Sequence, residues 1–113
     1  MDNKKLADST LVKMSNNQHR KLGAMYRKLV YTTPRDERPD RYSINAMYHS
    51  RVAVLQDKNC RVLTDAEKKD VYFAMRMKYL SDQGGQQIPG RDIKSVEERI
   101  MQNTFVYLLK NRR

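Results

Sequence analysis

The chain has almost no cysteine and little histidine, and this scarcity excludes several kinds of site. Cys60 is the only cysteine among 113 residues, so neither an intramolecular disulfide nor a four-thiolate zinc site can form. The two histidines, His19 and His49, belong to no H-E-x-x-H motif and to no Cys/His cluster. A metal site built from these three residues would need three distant segments to converge, so we expect no metal and no cofactor.

Catalytic signatures are missing as well. No glycine-rich phosphate loop precedes a predicted helix, and no G-x-S-x-G motif occurs. Asp40 together with Glu67 and its two following lysines echoes a metal-dependent nuclease, but that chemistry needs carboxylates projected together to share a metal. Glu67 is instead expected to cap a helix, and Asp40 lies in a proline-bounded linker. We therefore predict that the protein is not an enzyme.

Long apolar runs are also lacking. No stretch approaches the roughly 18 consecutive apolar residues that span a bilayer. Residues 1–14, with the sequence MDNKKLADSTLVKM, lack the apolar region of a secretory signal. A single cysteine agrees with a reducing compartment. We expect an intracellular protein, cytoplasmic or nucleoid-associated, that is not secreted and has no membrane span.

What the sequence does contain is helical spacing. Four segments carry apolar residues at i, i+3, i+4 and i+7 intervals, and no segment shows a strand pattern bounded by hairpin turns. The first helix is predicted to start between Ser15 and Asn17 and to end before Pro34. The second is predicted to start near Ser43. The apolar set of the first helix is Leu22, Met25, Tyr26, Leu29 and Val30.

The third and fourth helices have the clearest start signals. Thr64 and Glu67 form a T-x-x-E capping box, and glycines at 84 and 85 can end that helix in a left-handed conformation. Apolar residues run nearly all the way round it, so we expect it to be the most buried helix. The fourth is predicted to start at Ser95, with Asp92 as the alternative cap. Its apolar face comprises Ile100, Met101, Phe105, Leu108 and Leu109.

These segments predict an all-α fold, a compact bundle of about four short helices. We expect residues 15–113 to form a single helical domain. Residues 1–14 are expected to be a basic N-terminal segment, either loosely attached or folded as a small extra helix.

Negatively charged residues are absent from a long window of the sequence, and this asymmetry is the clearest indication of function. The chain carries a formal net charge of +10, yet no carboxylate occurs between Asp8 and Asp36. Arg20 and Arg27 are seven residues apart, as are Lys21 and Lys28, so a helix would align them on the side facing away from its apolar set. The alternative interpretation is an ordinary solvated helix face.

A surface of cations without acids favours a polyanionic partner, because like charges held close together repel until a partner neutralises them. Nucleic acid is the commonest polyanion inside cells, and its phosphates pair with Lys and Arg. Arginines recur every third residue in the linker TTPRDERPDRY, although Asp36, Glu37 and Asp40 could pair with them locally. The predicted nucleic-acid-binding residues are Lys13, Arg20, Lys21, Arg27, Lys28, Arg35, Arg38, Arg41, Arg112 and Arg113.

A second hypothesis is a protein-interaction module, an inhibitor or adaptor that docks on an acidic surface of a partner. The same charges would then speed the encounter. The third helix has more apolar residues than a small core can cover, so Tyr72, Phe73 and Met77 are predicted as a partner face or a homodimer face. Neither hypothesis distinguishes DNA from RNA or single strands from duplex.

Overall fold

The computed structural model describes residues 3–86 and 88–111, with side chains from Ser9 onward. These residues contain four α-helices, one short 3-10 helix and no strand, which confirms the predicted all-α fold. The predicted binding residues Arg112 and Arg113 lie outside the described part of the chain. The elements are α1 (Asn3–Thr32), the 3-10 helix (Arg35–Glu37), α2 (Asp40–Asn59), α3 (Asp65–Asp82) and α4 (Ile93–Lys110).

Helix α1 begins earlier than predicted and runs for 30 residues, about 45 Å at 1.5 Å per residue. It defines the long direction of a molecule that measures 55 × 31 × 17 Å. The predicted start at Ser15 to Asn17 is wrong because these polar side chains do not cap a helix. Ser15 and Asn16 instead accept hydrogen bonds from Gln56 Nε2 on α2, at 3.0 and 2.8 Å.

Helices α1 and α2 form an antiparallel hairpin joined across Pro34 and Pro39. Rising residue numbers on α1 meet falling numbers on α2, from Asn16 against Gln56 to Tyr26 against Tyr42. The α1 residues in contact follow one another at intervals of three and four, which is the spacing of a coiled-coil seam. The seam residues of α1 are Asn16, His19, Gly23 and Tyr26, and their partners on α2 are Gln56, His49, Ala46 and Tyr42.

Helix α2 is the central element. It packs against α1, α3 and α4, whereas α3 packs against α2 and α4. The expectation that the third helix is the most buried is therefore wrong: α3 leaves Tyr72 and Phe73 half-buried and Leu80 exposed. The main core cluster draws on α2, α3, α4 and the α2–α3 connection, and its buried members are Val52, Leu55, Leu63, Val71, Ala74, Met75, Val96 and Ile100.

Local signals at the ends of α3 are confirmed. Thr64 Oγ1 accepts a hydrogen bond from the Glu67 N–H, and a Glu67 carboxylate oxygen accepts one from the Thr64 N–H, so both halves of the capping box are present. The helix ends in a Schellman motif: Gly84 has a φ of +99°, and the Gly85 N–H donates to the Leu80 carbonyl at 2.7 Å.

Helix α4 differs from its prediction in two ways. Its N-cap is Asp92, the alternative position, whose carboxylate accepts a 2.7 Å hydrogen bond from Ser95 Oγ. Its apolar residues also divide between two directions. Ile100 is buried, but the other four members of the predicted face are exposed, because α2 and α3 cover only one side of the helix. The exposed residues are Met101, Phe105, Leu108 and Leu109.

Candidate nucleic-acid interface

The predicted cations of α1 lie on its solvent side. Because the seam turns towards α2, side chains on the other flanks of the helix remain open to water. All five cations between residues 13 and 28 are exposed, namely Lys13, Arg20, Lys21, Arg27 and Lys28.

Arg20 differs from the other four because it has a carboxylate partner. Its Nη2 lies 2.7 Å from Asp57 Oδ2 on α2, and the other oxygen of Asp57 accepts a hydrogen bond from Asn16. Arg20 therefore helps to join the hairpin, and its charge is partly neutralised. For the other four residues, no carboxylate in the described part of the chain lies within 4.0 Å. We call Lys13, Lys21, Arg27 and Lys28 the cationic flank.

A groove continues from the cationic flank across the hairpin. Arg27 of α1, Arg51 of α2 and Lys78 of α3 line it, around an apolar floor that includes Val54 and Met75. Arg51 also pairs with Glu97, at 3.2 Å. The sequence reasoning missed Arg51 and Lys78 because neither lies in the acid-free window, and only the packing of three helices brings them beside Arg27.

The three arginines of the α1–α2 connection do not act alike. Arg38 is half-buried and donates to the Thr33 carbonyl at 3.1 Å, so it holds the connection in shape. Arg35 is exposed on the 3-10 helix, and the Arg41 guanidinium lies 5.6 Å from the Tyr42 ring centroid. Within the described residues, none of the three forms an ion pair with a neighbouring acid. Arg35 and Arg41 are thus available to a ligand.

The predicted partner face on α3 is partly covered by neighbouring residues. Met77 is buried. Tyr72 packs edge-on against Tyr48 at a centroid distance of 5.4 Å, and the Arg91 guanidinium lies 5.4 Å from the Phe73 ring. Of the three predicted residues, Tyr72 and Phe73 therefore remain half-buried and line a surface groove.

Sequence reasoning did not bring the two histidines together, but the fold does. His19 Nδ1 and His49 Nδ1 are 2.9 Å apart in the α1–α2 seam. Burial, followed by the charges of His49 and Lys68, lowers the pKa of His19 from 6.5 to about 4. Burial also lowers the pKa of His49. Both rings are therefore neutral at pH 7 and add no charge to the cationic surface.

Cys60 does not join the histidines. It is exposed at the end of α2, where it adopts a left-handed conformation with a φ of 54°. Among the described residues, no three His, Cys, Asp or Glu side chains come close enough to hold a metal ion. The two histidine rings pack against Tyr26 and Tyr48 in the α1–α2 seam.

Comparison with known proteins identifies no relative: the chain matches no family model, no curated protein and no solved structure. No helix in the described ranges combines the length and apolar character needed to cross a membrane.

Proposed function

We propose that the protein binds nucleic acid, mainly through phosphate contacts made by the cationic flank of α1, and that it has no catalytic role. The observation that carries this proposal is the absence of any carboxylate within 4.0 Å of those four side chains in the described structure. From Lys13 to Lys28 the helix rises about 22 Å. A DNA duplex of that length carries about 13 phosphate charges.

The energetics favour a polyanion over solvent alone. Repulsion among unpaired cations on one rigid helix is relieved when phosphates replace the surrounding counterions. Release of condensed counterions from the nucleic acid then contributes favourable entropy to binding. Arg27 and the exposed Arg35 can each contact two phosphate oxygens through the guanidinium fork.

Sequence selectivity is expected to be weak. Phosphate contacts position a protein without reading bases. Tyr31 is 84% exposed and lies one helical turn after Lys28 of the cationic flank. A ring in that position can stack on an unpaired base, and such stacking tolerates any sequence.

A charge-reversal experiment tests the proposal. Lys21→Glu, Arg27→Glu and Lys28→Glu in one chain should weaken binding to mixed-sequence DNA and RNA by at least about 100-fold, since three phosphate contacts become repulsive. Arg20 stays unchanged because its partner Asp57 helps to hold the hairpin. Fluorescence anisotropy with labelled oligonucleotides measures the affinities.

The matched control reverses the same number and type of charges elsewhere. Lys69→Glu, Arg76→Glu and Lys110→Glu alter exposed residues of α3 and α4 and give the same net charge as the first variant. Because a lower net charge has only a small general effect on affinity, we expect the control to bind nucleic acid within about fivefold of wild type. Equal losses in the two variants would show that binding follows total charge and that the cationic flank is not the site.

One observation favours a protein-interaction module, an adaptor or inhibitor, as the second candidate. The groove lined by Arg27, Arg51 and Lys78 has an apolar floor, which suits an amphipathic segment with acidic residues at its edges. Under this alternative, Val54→Glu would abolish binding of an acidic partner and leave nucleic-acid affinity unchanged.

A further inference from the structure

The groove that adjoins the cationic flank combines two kinds of surface, and we call it the hairpin groove. The apolar residues of its floor are Ala46, Met47, Val54 and Met75. Among the described residues, every charged side chain that lines it is a cation, namely Arg27, Arg51 or Lys78. Its volume of about 380 Å³ falls within the usual range for sites that take small organic groups. The hairpin groove therefore suits a ligand that is anionic at its edge and apolar inside.

Two of the three cations of the hairpin groove keep their full charge. Arg51 pairs with Glu97 at 3.2 Å, so its charge is partly neutralised. Arg27 and Lys78 are exposed, and no carboxylate in the described part of the chain lies within 4.0 Å of either. Because Arg27 belongs to α1 and Lys78 to α3, a chain of phosphates that crosses the groove meets a cation from each helix.

The hairpin groove is continuous with the rest of the proposed binding surface. Arg27 belongs both to the groove and to the cationic flank, so one ligand can contact the two together. Tyr31 lies four residues after Arg27, about 6 Å further along the same side of α1, and its ring is 84% exposed. Phosphate-binding cations, an exposed aromatic ring and an apolar floor are therefore neighbours.

We propose that the hairpin groove holds an unpaired base, and that the protein therefore prefers a single strand of nucleic acid to a duplex. This inference rests on the proposed binding of phosphates by the cationic flank. A single strand can turn its bases outward onto apolar and aromatic side chains. A duplex stacks its bases inside, so the floor of the groove would stay in water. A base on that floor contacts Met47, whose thioether favours aromatic rings, while Arg27 and Lys78 pair with adjoining phosphates.

Charge complementarity and continuity select a nucleic-acid strand as the occupant. An acidic amphipathic protein segment would also match the hairpin groove, but it gives no role to Tyr31 or to the rest of the cationic flank. A nucleic-acid strand contacts all three parts of the surface.

The preference for a single strand separates base contacts from charge. A duplex has the higher charge density, and each phosphate contact contributes a salt slope of roughly −0.9 on a duplex and −0.7 on a single strand. A protein that binds through charge alone therefore binds a duplex at least as tightly as a single strand. Tighter binding of the single strand must come from contacts with its bases.

Fluorescence anisotropy at one salt concentration compares three probes of the same mixed, non-self-complementary sequence: a DNA strand, its duplex with the complement, and the RNA strand. The DNA strand should bind at least about 10-fold more tightly than the duplex. The RNA strand should also bind more tightly than the duplex, because stacking uses the face of a base and does not need a particular sugar. The ratio of the two single-strand affinities shows which sugar the surface favours.

Val54→Asn tests the floor of the hairpin groove without changing a charge. Val54 is 50% exposed, and valine and asparagine have similar helix propensities, so the variant should keep its fold. Its affinity for the single strand should fall about fivefold through lost apolar contact, whereas its affinity for the duplex should stay within about twofold. The matched control is Val106→Asn on α4, where the valine is 49% exposed, and it should leave both affinities unchanged.

Two changes at Tyr31 test the neighbouring ring. Tyr31→Ala should weaken single-strand binding at least about fivefold, and Tyr31→Phe, which keeps a ring that can stack, should bind as wild type does. Circular dichroism establishes that each variant keeps its helical content.

Failure of this inference and failure of the proposed function give different results. A duplex bound as tightly as the single strand, or equal effects of Val54→Asn and Val106→Asn, would overturn the inference and leave the phosphate contacts of the cationic flank standing. Unchanged single-strand affinity in Val54→Asn, together with weaker binding of an acidic amphipathic peptide, would overturn it in favour of a protein partner. Binding to none of the three probes would overturn the proposed function as well.

Discussion

At the scale of single residues, buried polar side chains in the hairpin satisfy one another. Gln56 has no exposed surface; its Nε2 donates to Ser15 and Asn16, and its Oε1 accepts from the Leu63 N–H at 3.1 Å. A buried amide left without partners would cost about 1 to 3 kcal/mol. This set of bonds therefore fixes the position of α1 against α2 more specifically than apolar packing would.

Arg61 and Glu67 make the corresponding link between α2, α3 and α4. Both are buried, with guanidinium-to-carboxylate distances of 2.7 and 2.6 Å, and Arg61 Nε also donates to Thr104 at 3.0 Å. Burial alone would raise the pKa of Glu67, but hydrogen bonds from Arg61, the Thr64 N–H and Asn103 outweigh it and lower that pKa to about 2. The pair stays ionised at any pH near neutrality.

The histidine pair predicts a pH dependence of stability. The folded-state pKa values of His19 and His49 lie below the ordinary 6.5, so the unfolded chain binds more protons between that value and the folded pKa. Stability should be full above pH 7 and fall as pH drops from 6.5 towards 4. Because the rings are half-exposed and screened by solvent, we expect a loss on the order of 1 kcal/mol. Urea unfolding at a series of pH values measures it.

A double variant separates this effect from that of the carboxylates. His19→Gln with His49→Gln should flatten the profile between pH 6.5 and 5. Glu67, whose pKa is lowered from 4.5 to about 2, still contributes stability that disappears only below pH 4.5. An unchanged slope between pH 6.5 and 5 in the double variant would contradict the assignment to the histidines.

At the scale of elements, the close approach of α1 to α2 depends on Gly23. A Cβ placed there would lie 3.4 Å from Ser50 Oγ and 3.5 Å from His49 Cβ. Gly23→Leu should therefore force the helices apart and destabilise the protein by about 2 kcal/mol. Gly23→Ala should be neutral or mildly stabilising, because its methyl group just fits and alanine favours the helix by up to about 1 kcal/mol. Thermal unfolding distinguishes the two, and equal stability of both variants would contradict the close seam.

Helix ends that depend on neighbouring residues could be predicted from the sequence. The capping box of Thr64 and Glu67 and the left-handed Gly84 depend on residues within one turn, and both are found as predicted. The start of α1 could not be read in this way. Ser15 and Asn16 are good capping residues, but their hydrogen-bond partner Gln56 lies about 40 residues away in the sequence.

The same distinction explains the apolar faces. Periodicity shows that Ile100 and Phe105 are apolar and lie on a helix, but it does not show which neighbouring helices cover them. Only the position of α2 and α3 leaves Ile100 buried and Phe105 69% exposed. The contact residues of the α1 seam could not be predicted for a related reason. They include Asn16, His19 and Gly23, which a pattern of apolar residues does not identify.

At the scale of the whole molecule, some of the positively charged side chains pair with carboxylates and others do not. In the described part of the chain, three arginines pair with carboxylates: Arg20 with Asp57, Arg51 with Glu97, and Arg61 with Glu67. The sequence window free of acids predicted a cationic surface on α1, and four of its members are exposed with no described carboxylate within 4.0 Å. Which arginine would be neutralised depended on the position of Asp57 on α2, which no sequence pattern indicates.

The central claim is that the cationic flank engages phosphates, and the salt dependence of binding tests it most directly. If Lys13, Lys21, Arg27 and Lys28 each neutralise one phosphate of duplex DNA, the logarithm of the association constant should fall against the logarithm of salt concentration with a slope of about −3.6. The Lys21→Glu, Arg27→Glu, Lys28→Glu variant should give a slope near −1. A wild-type slope close to zero, or the same slope in both proteins, would contradict the account.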